Sequence, residues 1–141
     1  MNRPKAILCD IDGTLALLGE RNRFDPTTGE DLLNYPIAHI LKVYDNQTVL
    51  PVKLILITGR EDKFRSVTEA WLQKNEITHH THLYMRKTGD YRKDYVVKKE
   101  LYENYIKETY EVLFVLEDRD RVVKMWRNEG LTCLQVAYGN F

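Results

Sequence analysis

The sequence predicts an α/β protein: a doubly wound parallel sheet of about five strands in the order 3-2-1-4-5, covered by helices on both faces. Three observations predict it. Short apolar runs alternate with segments of helical period, the connections between them are short, and polar residues stand at the carboxyl ends of the apolar runs. At 141 residues the chain has room for one domain with a single core. The expected unit is therefore 1–141.

The elements follow in order. Ala6-Ile7-Leu8 leads into Cys9-Asp10-Ile11-Asp12-Gly13-Thr14, the form of a buried strand ending in a sharp polar turn. From Gly19 to Gly29 the chain is polar and rich in turn formers, so a loop is expected over that end of the sheet. Between Pro36 and Tyr44, Ile37, Ile40, Leu41 and Tyr44 recur at i, i+3, i+4, i+7, and Pro36 suits a first helical turn. The run 52–57 is a central strand that breaks off at Thr58-Gly59-Arg60. A second sheet-covering helix spans Phe64 to Asn75. His79-His80-Thr81-His82 lacks the i, i+4 spacing and partner ligand of a transition-metal site, so it reads as a loop into the strand Leu83-Tyr84-Met85. A helix from about Asp94 to Ile106 follows. Val112 to Leu116, wholly apolar, is a strand buried on both faces, ending in Glu117-Asp118-Arg119-Asp120. A helix from Arg119 to Glu129, stopped by Gly130, and a last strand from Thr132 to Val136 complete the chain.

Lys plus Arg and Asp plus Glu stand at 21 each, so no global polybasic character argues for nucleic acid or an anionic membrane. Any anion site must be local. The one basic stretch is Arg86 to Lys99, where six cations face only Asp90 and Asp94. By itself such a run is most often a solvated surface. The two cysteines, Cys9 and Cys133, lie in apolar runs, which disfavours a disulfide framework and fits a reducing cytoplasm. No apolar segment has the form of a signal peptide or the length of a membrane span, so a cytoplasmic protein, bacterial or of a phage-infected cell, is expected.

Asp10 and Asp12 are the candidate chemistry. A turn after the strand can swing both carboxylates to one point, where one attacks phosphorus, the other handles the proton of the leaving oxygen, and a hard divalent cation offsets their repulsion. Paired Asp residues before Gly also make ordinary turns. Thr58-Gly59-Arg60 offers a hydroxyl and a guanidinium at a strand end, suited to phosphate, though Thr58 can equally cap a helix. Asp118 adds oxygen ligands from a neighbouring strand.

Asp10-x-Asp12-Gly13-Thr14 resembles motif I of the haloacid dehalogenase superfamily. Over nearly its whole length the chain resembles the phosphatase half of the phage polynucleotide kinase-phosphatases. The resemblance implies Asp10 as nucleophile, Asp12 as general acid/base, Thr58 as the motif II hydroxyl and Lys98 as the motif III lysine. It implies Mg2+ held by Asp10, the Asp12 carbonyl and Asp118, and substrate bound by Arg21, Thr58, Gly59, Arg60, Asp94 and Lys98, with Asp94 orienting Arg60 or Lys98. The loop at about 16–34 then stands in place of a cap domain and leaves the site open. Glu117 departs from the two aspartates usual in those enzymes, leaving open whether it joins the metal shell. The expected reaction is removal of 3'-phosphate from DNA or RNA ends in strand repair through an aspartyl phosphate. No Gly-x-x-x-x-Gly-Lys-Ser/Thr occurs, so no 5'-kinase activity is expected of this chain, and a separate kinase or ligase partner is left open. Two alternatives stand beside it: a phosphatase of small nucleotide or sugar phosphates, and a module that binds nucleic-acid ends without catalysis.

Overall fold

The computed structural model describes residues 2–19, 25, 26, 29–46 and 49–141. Strands β1 (Lys5–Cys9), β4 (Val52–Glu61), β5 (His80–Arg86), β6 (Glu111–Glu117) and β7 (Cys133–Gln135) form one sheet in the order β5-β4-β1-β6-β7. Every pairing in it is parallel. Counting those five strands alone, this is the expected order 3-2-1-4-5.

The strands are buried on both faces, and their alternation sorts the core in two. Ile7 and Cys9 of β1, with Leu54 and Leu56 of β4, pack beneath α1 (Tyr35–Asp45) and α2 (Arg65–Lys74). Ala6 and Leu8, with Ile55 and Ile57, meet α3 (Asp94–Tyr105) and α4 (Asp120–Asn128) on the opposite face. Helix α1 has Pro in its first turn and buries Ile37, Ala38 and Leu41, as its spacing requires. In α4 the buried residues Val122, Val123, Met125 and Trp126 make one apolar stripe. Trp126 lies edge-on to Tyr102 of α3 at 5.7 Å between ring centroids. Cys9 and Cys133 are buried free thiols. Among the described residues no helix is long and apolar enough to cross a membrane.

Three local features depart from the expected outline. The cap-like stretch contains a small antiparallel pair, β2 (Ala16–Leu17) with β3 (Leu32–Leu33), where only loop was expected. Leu33 is buried there and Leu32 exposed, so two residues per strand suffice to seat one side chain in the core. Strand β4 does not break off at Thr58. It runs to Glu61, with a shift of register against β5 between Thr58 and Glu61. Strand β5 starts at His80, so His80 and His82 belong to it, and His82 stacks on Tyr84 at 5.2 Å.

Leu8 is fully buried in the central strand. Leu8→Ala should lower unfolding stability by about 2–5 kcal/mol, read as a lower urea midpoint at unchanged slope.

Candidate active site

Strand β1 ends at Cys9, and Asp10 donates its backbone N–H to the Leu116 carbonyl of β6 at 3.0 Å. The chain then turns back on itself: the N–H groups of Thr14, Leu15 and Ala16 all point to the Ile11 carbonyl. Gly13 sits at φ +82°, and a Cβ there would lie 2.1 Å from Asp118 Oδ2, so no larger residue fits between the turn and the carboxylate. Asp118 comes from the loop after β6. The sheet order therefore delivers Asp10 and Asp118 to one point from adjacent strands.

Lys98 of α3 is the counterion. Its side chain is 1 % exposed, and its ammonium lies 2.7 Å from Asp10 Oδ1, 2.8 Å from Glu117 Oε1 and 3.5 Å from Asp94 Oδ2. Thr14 Oγ1 donates to Asp10 Oδ2 at 3.0 Å, leaving one oxygen to the hydroxyl and one to the ammonium. Glu117, fixed in the interior, accepts from Lys98 on Oε1 and from the N–H groups of Asp118 and Arg119 on Oε2. It holds both the lysine and the backbone that carries Asp118.

Asp10, Glu117 and Asp118 present ligand atoms within 4.8 Å of one another, and among the described residues theirs is the group able to hold a metal ion. Charge is crowded here. Burial, then the Glu117 carboxylate, raises the Asp10 carboxyl to about 7 against the pull of Lys98. Burial, then Asp10, raises Asp118 to about 7 as well. Glu117 is pushed up by burial too. For Lys98 burial works against the ammonium, but Asp10, Asp94 and Glu117 outweigh it and hold it above the ordinary lysine value. Asp94 is held below the usual carboxylate range, its burial more than offset by Lys98, Arg119 and Arg86.

Asp12 takes a different partner. Its carboxylate accepts from Arg60 Nη2 at 2.6 Å and from Nε at 3.0 Å, a forked pair. The same guanidinium reaches Asp31 Oδ2 at 3.0 Å and Thr68 Oγ1 at 3.1 Å. Trp71 Nε1 donates to the Asp31 carbonyl at 2.7 Å, tying this cluster to α2. Asp94 is set against Lys98, Arg86 and Arg119 rather than Arg60. Gly59 permits this: a Cβ there would fall 2.0 Å from Asp94 Oδ1. Thr58 is fully buried, its hydroxyl accepting from the Arg60 N–H at 3.1 Å.

These groups border a cavity of roughly 320 Å³ lined by Asp10, Asp12, Gly59, Arg60, Asp94 and Asp118, with Arg86, Tyr91, Lys93 and Arg119 toward its rim. Thr58 and Lys98 are buried behind that lining. Arg21 lies outside the described residues. Sequence reasoning did not single out Asp31 or Arg86. Arg86 donates to the Gly59 carbonyl at 2.7 Å and to the Asp90 carbonyl at 3.1 Å, stitching the end of β4 to the basic loop. Its place at the end of a strand, beside Lys87, was the available signal.

Sheet order, paired aspartates and a buried lysine at the strand ends define a phosphatase domain of haloacid dehalogenase type. More narrowly, the chain belongs to the polynucleotide kinase PNKP phosphatase-domain family, whose pattern matches residues 4–141. It is 33 % identical over 127 residues to a protein of Autographa californica nuclear polyhedrosis virus described as a bifunctional polynucleotide kinase/RNA ligase, an alignment covering 89 % of this chain and 18 % of that protein. Two solved structures, of a Pnkp1/Rnl/Hen1 complex and a Pnkp1/Rnl/Hen1 RNA repair complex, superpose with a TM-score of 0.93 at 48 % identity. They match 99 % of this chain, which in turn spans 48 % and 44 % of theirs. The chain thus covers less than half the length of these relatives.

The crowded carboxylates make a signed prediction for metal-free protein. A carboxyl raised in the folded state costs stability as pH rises from the unfolded value near 4 toward the folded value of about 7. Asp118→Asn should therefore gain stability relative to the parent chain between pH 4 and 7 and hold a constant difference above. Urea titrations in EDTA across that range check it; parallel pH curves would contradict it.

Proposed function

We propose that the domain is a Mg2+-dependent phosphomonoesterase that removes 3'-phosphate from polynucleotide ends in nucleic-acid repair. The observation that carries the reading is the Asp10 carboxylate at the cavity, gripped by Lys98 and Thr14, with Asp12 two residues on and held separately by Arg60. A binding module has no use for converging carboxylates facing a polyanion. A kinase or ligase in the same repair pathway fits the names of the relatives, all of which are longer than this chain.

The donor set suits a hard cation: the available ligands are carboxylate oxygens, and two of the three carboxyls are raised to about 7 by burial and mutual repulsion. Asp10 and Asp118 would hold the ion, while Glu117, whose oxygens are engaged by Lys98 and two backbone N–H groups, orients them. When bound, Mg2+ supplies charge neutralisation for the phosphoryl oxygens.

An oxygen of Asp10 attacks phosphorus in line, forming the aspartyl phosphate as the bond to the 3'-oxygen breaks. Asp12, which must enter this step protonated, gives its proton to that oxygen, then takes one from the water that attacks phosphorus and frees Asp10. Lys98 stabilises charge on Asp10 from behind. Thr58, its hydroxyl accepting from the Arg60 N–H, braces the strand end that carries Gly59 and Arg60, and Arg60 acts as a positioning residue, fixing Asp12 through its fork.

Phosphate release from a 3'-phosphorylated oligonucleotide should be selective over 5'-phosphorylated strands and sugar phosphates and should vanish in EDTA. Release from small esters alone would discard the polynucleotide assignment. Asp10→Asn should reduce release by roughly 10⁴-fold or more with an unchanged circular dichroism spectrum; near-normal turnover by the folded variant would overturn the mechanism.

A further inference from the structure

Outside the site a second concavity of roughly 490 Å³ runs between α3 and α4. Both helices begin at the catalytic end of the sheet: α3 starts at Asp94, which contacts Lys98, and α4 starts two residues after Asp118. The groove between them therefore leads away from the site. Lys93, the residue before α3, lines both concavities and joins them.

Its charge is one-sided. Lys93, Lys99, Arg121 and Lys124 line it against Glu129. Glu129 is engaged by Lys99 at 3.3 Å. Lys93, Arg121 and Lys124 are exposed and form no ion pair among the described residues. In a chain of zero formal net charge, this leaves unopposed positive charge in one channel that opens from the cavity. Arg121 and Lys124 project from one face of α4, separated by a rise of about 4.5 Å along the axis. That is the scale on which successive phosphates of one strand recur, about 3.4 Å in a stacked helix. Between the two helices Tyr95 and Met125 give the floor an apolar surface suited to sugars and bases.

We propose that this groove is the track for the single strand that precedes the 3'-phosphate, with Lys93 at the mouth and Arg121 and Lys124 holding the phosphodiesters further along. The inference rests on the reading of the site as a polynucleotide 3'-phosphatase and adds where the rest of the strand lies. It gives long strands an affinity that a mononucleotide cannot obtain.

The test compares the parent chain with the double variant Arg121→Gln, Lys124→Gln, two exposed positions away from the catalytic groups. Fluorescence anisotropy measures binding of 3'-phosphorylated single strands of two and about ten nucleotides over a salt series. For the long strand the Kd should rise about tenfold, and the slope of log K against log salt should fall by about 1.4, the share of two phosphate contacts on a single strand. Dinucleotide binding and phosphate release from a 3'-mononucleotide should be unchanged. Equal weakening for both lengths, an unchanged slope, or displacement of the long strand by polyglutamate as readily as by unlabelled oligonucleotide would overturn the track. A slope difference without phosphate release from any strand would remove the phosphatase reading and leave the track standing. Phosphate release without a slope difference would do the reverse.

Discussion

The ammonium of Lys98, enclosed between Asp10, Glu117 and Asp94, is the interaction on which the rest of the site depends. Taking an ion out of water costs several kcal/mol even after relaxation, and the attraction of a partner repays it only with good geometry and further hydrogen bonds. Lys98 meets both conditions, with oxygens at 2.7 and 2.8 Å. The carboxylates do not all meet them. Asp10, Glu117 and Asp118 outnumber the buried ammonium, and the excess appears as carboxyl groups raised by burial first and by one another second. Such a cluster relaxes either by taking up protons near neutrality or by admitting a divalent cation. The negative excess at the cavity is thus suited to a cation, which the proposed reaction would set against a phosphate monoester.

Topology explains why so costly an arrangement can be held in place. Strands β1 and β6 are neighbours, so Asp10 and Glu117 leave the sheet side by side, and α3 returns across the same face to bring Lys98 between them. Among the described residues of this cluster, no charge rides on a long loop. The glycines act in the same sense: at Gly13 and Gly59 a methyl group would collide with the carboxylates of Asp118 and Asp94. These positions hold glycine because carboxylate oxygens occupy the space a side chain would need.

Most of the sheet was legible because its strands are apolar runs buried on both faces, and α1 and α4 because their apolar residues fall on one stripe. The β2/β3 pair was not legible. Two residues per strand carry no periodicity, and Ala16 finds Leu33 only through the folded chain. The extension of β4 past Thr58 was hidden by Thr58-Gly59-Arg60, which has the composition of a turn while its backbone continues beside β5. Within the site, residue types and strand ends pointed to Asp10, Asp12 and Asp118, and the family resemblance added Lys98. They did not reveal partners set by side-chain direction: the fork of Arg60 turned onto Asp12, the junction with Asp31, or Glu117 holding Lys98 and two backbone N–H groups at once.

That last distinction bears on how two aspartates only two residues apart can do different work. Asp10 lies inside the carboxylate cluster, with an ammonium on one oxygen and a hydroxyl on the other, so its position is set by α3 and by the motif turn. Asp12 stands on the far side of that turn, and its position is set by Arg60, which is itself braced by Thr68 and Asp31. Asp31 adjoins β3, so the β2/β3 pair and the proposed proton donor share one guanidinium. A shift of that pair would pull on Arg60 and hence on Asp12, and on the motif turn through Asn34, whose side chain donates to the Thr14 carbonyl at 2.8 Å, while Lys98 holds the Asp10 carboxylate. The proposed nucleophile and acid thereby take their orientation from different partners, Lys98 of α3 for Asp10 and Arg60 of β4 for Asp12.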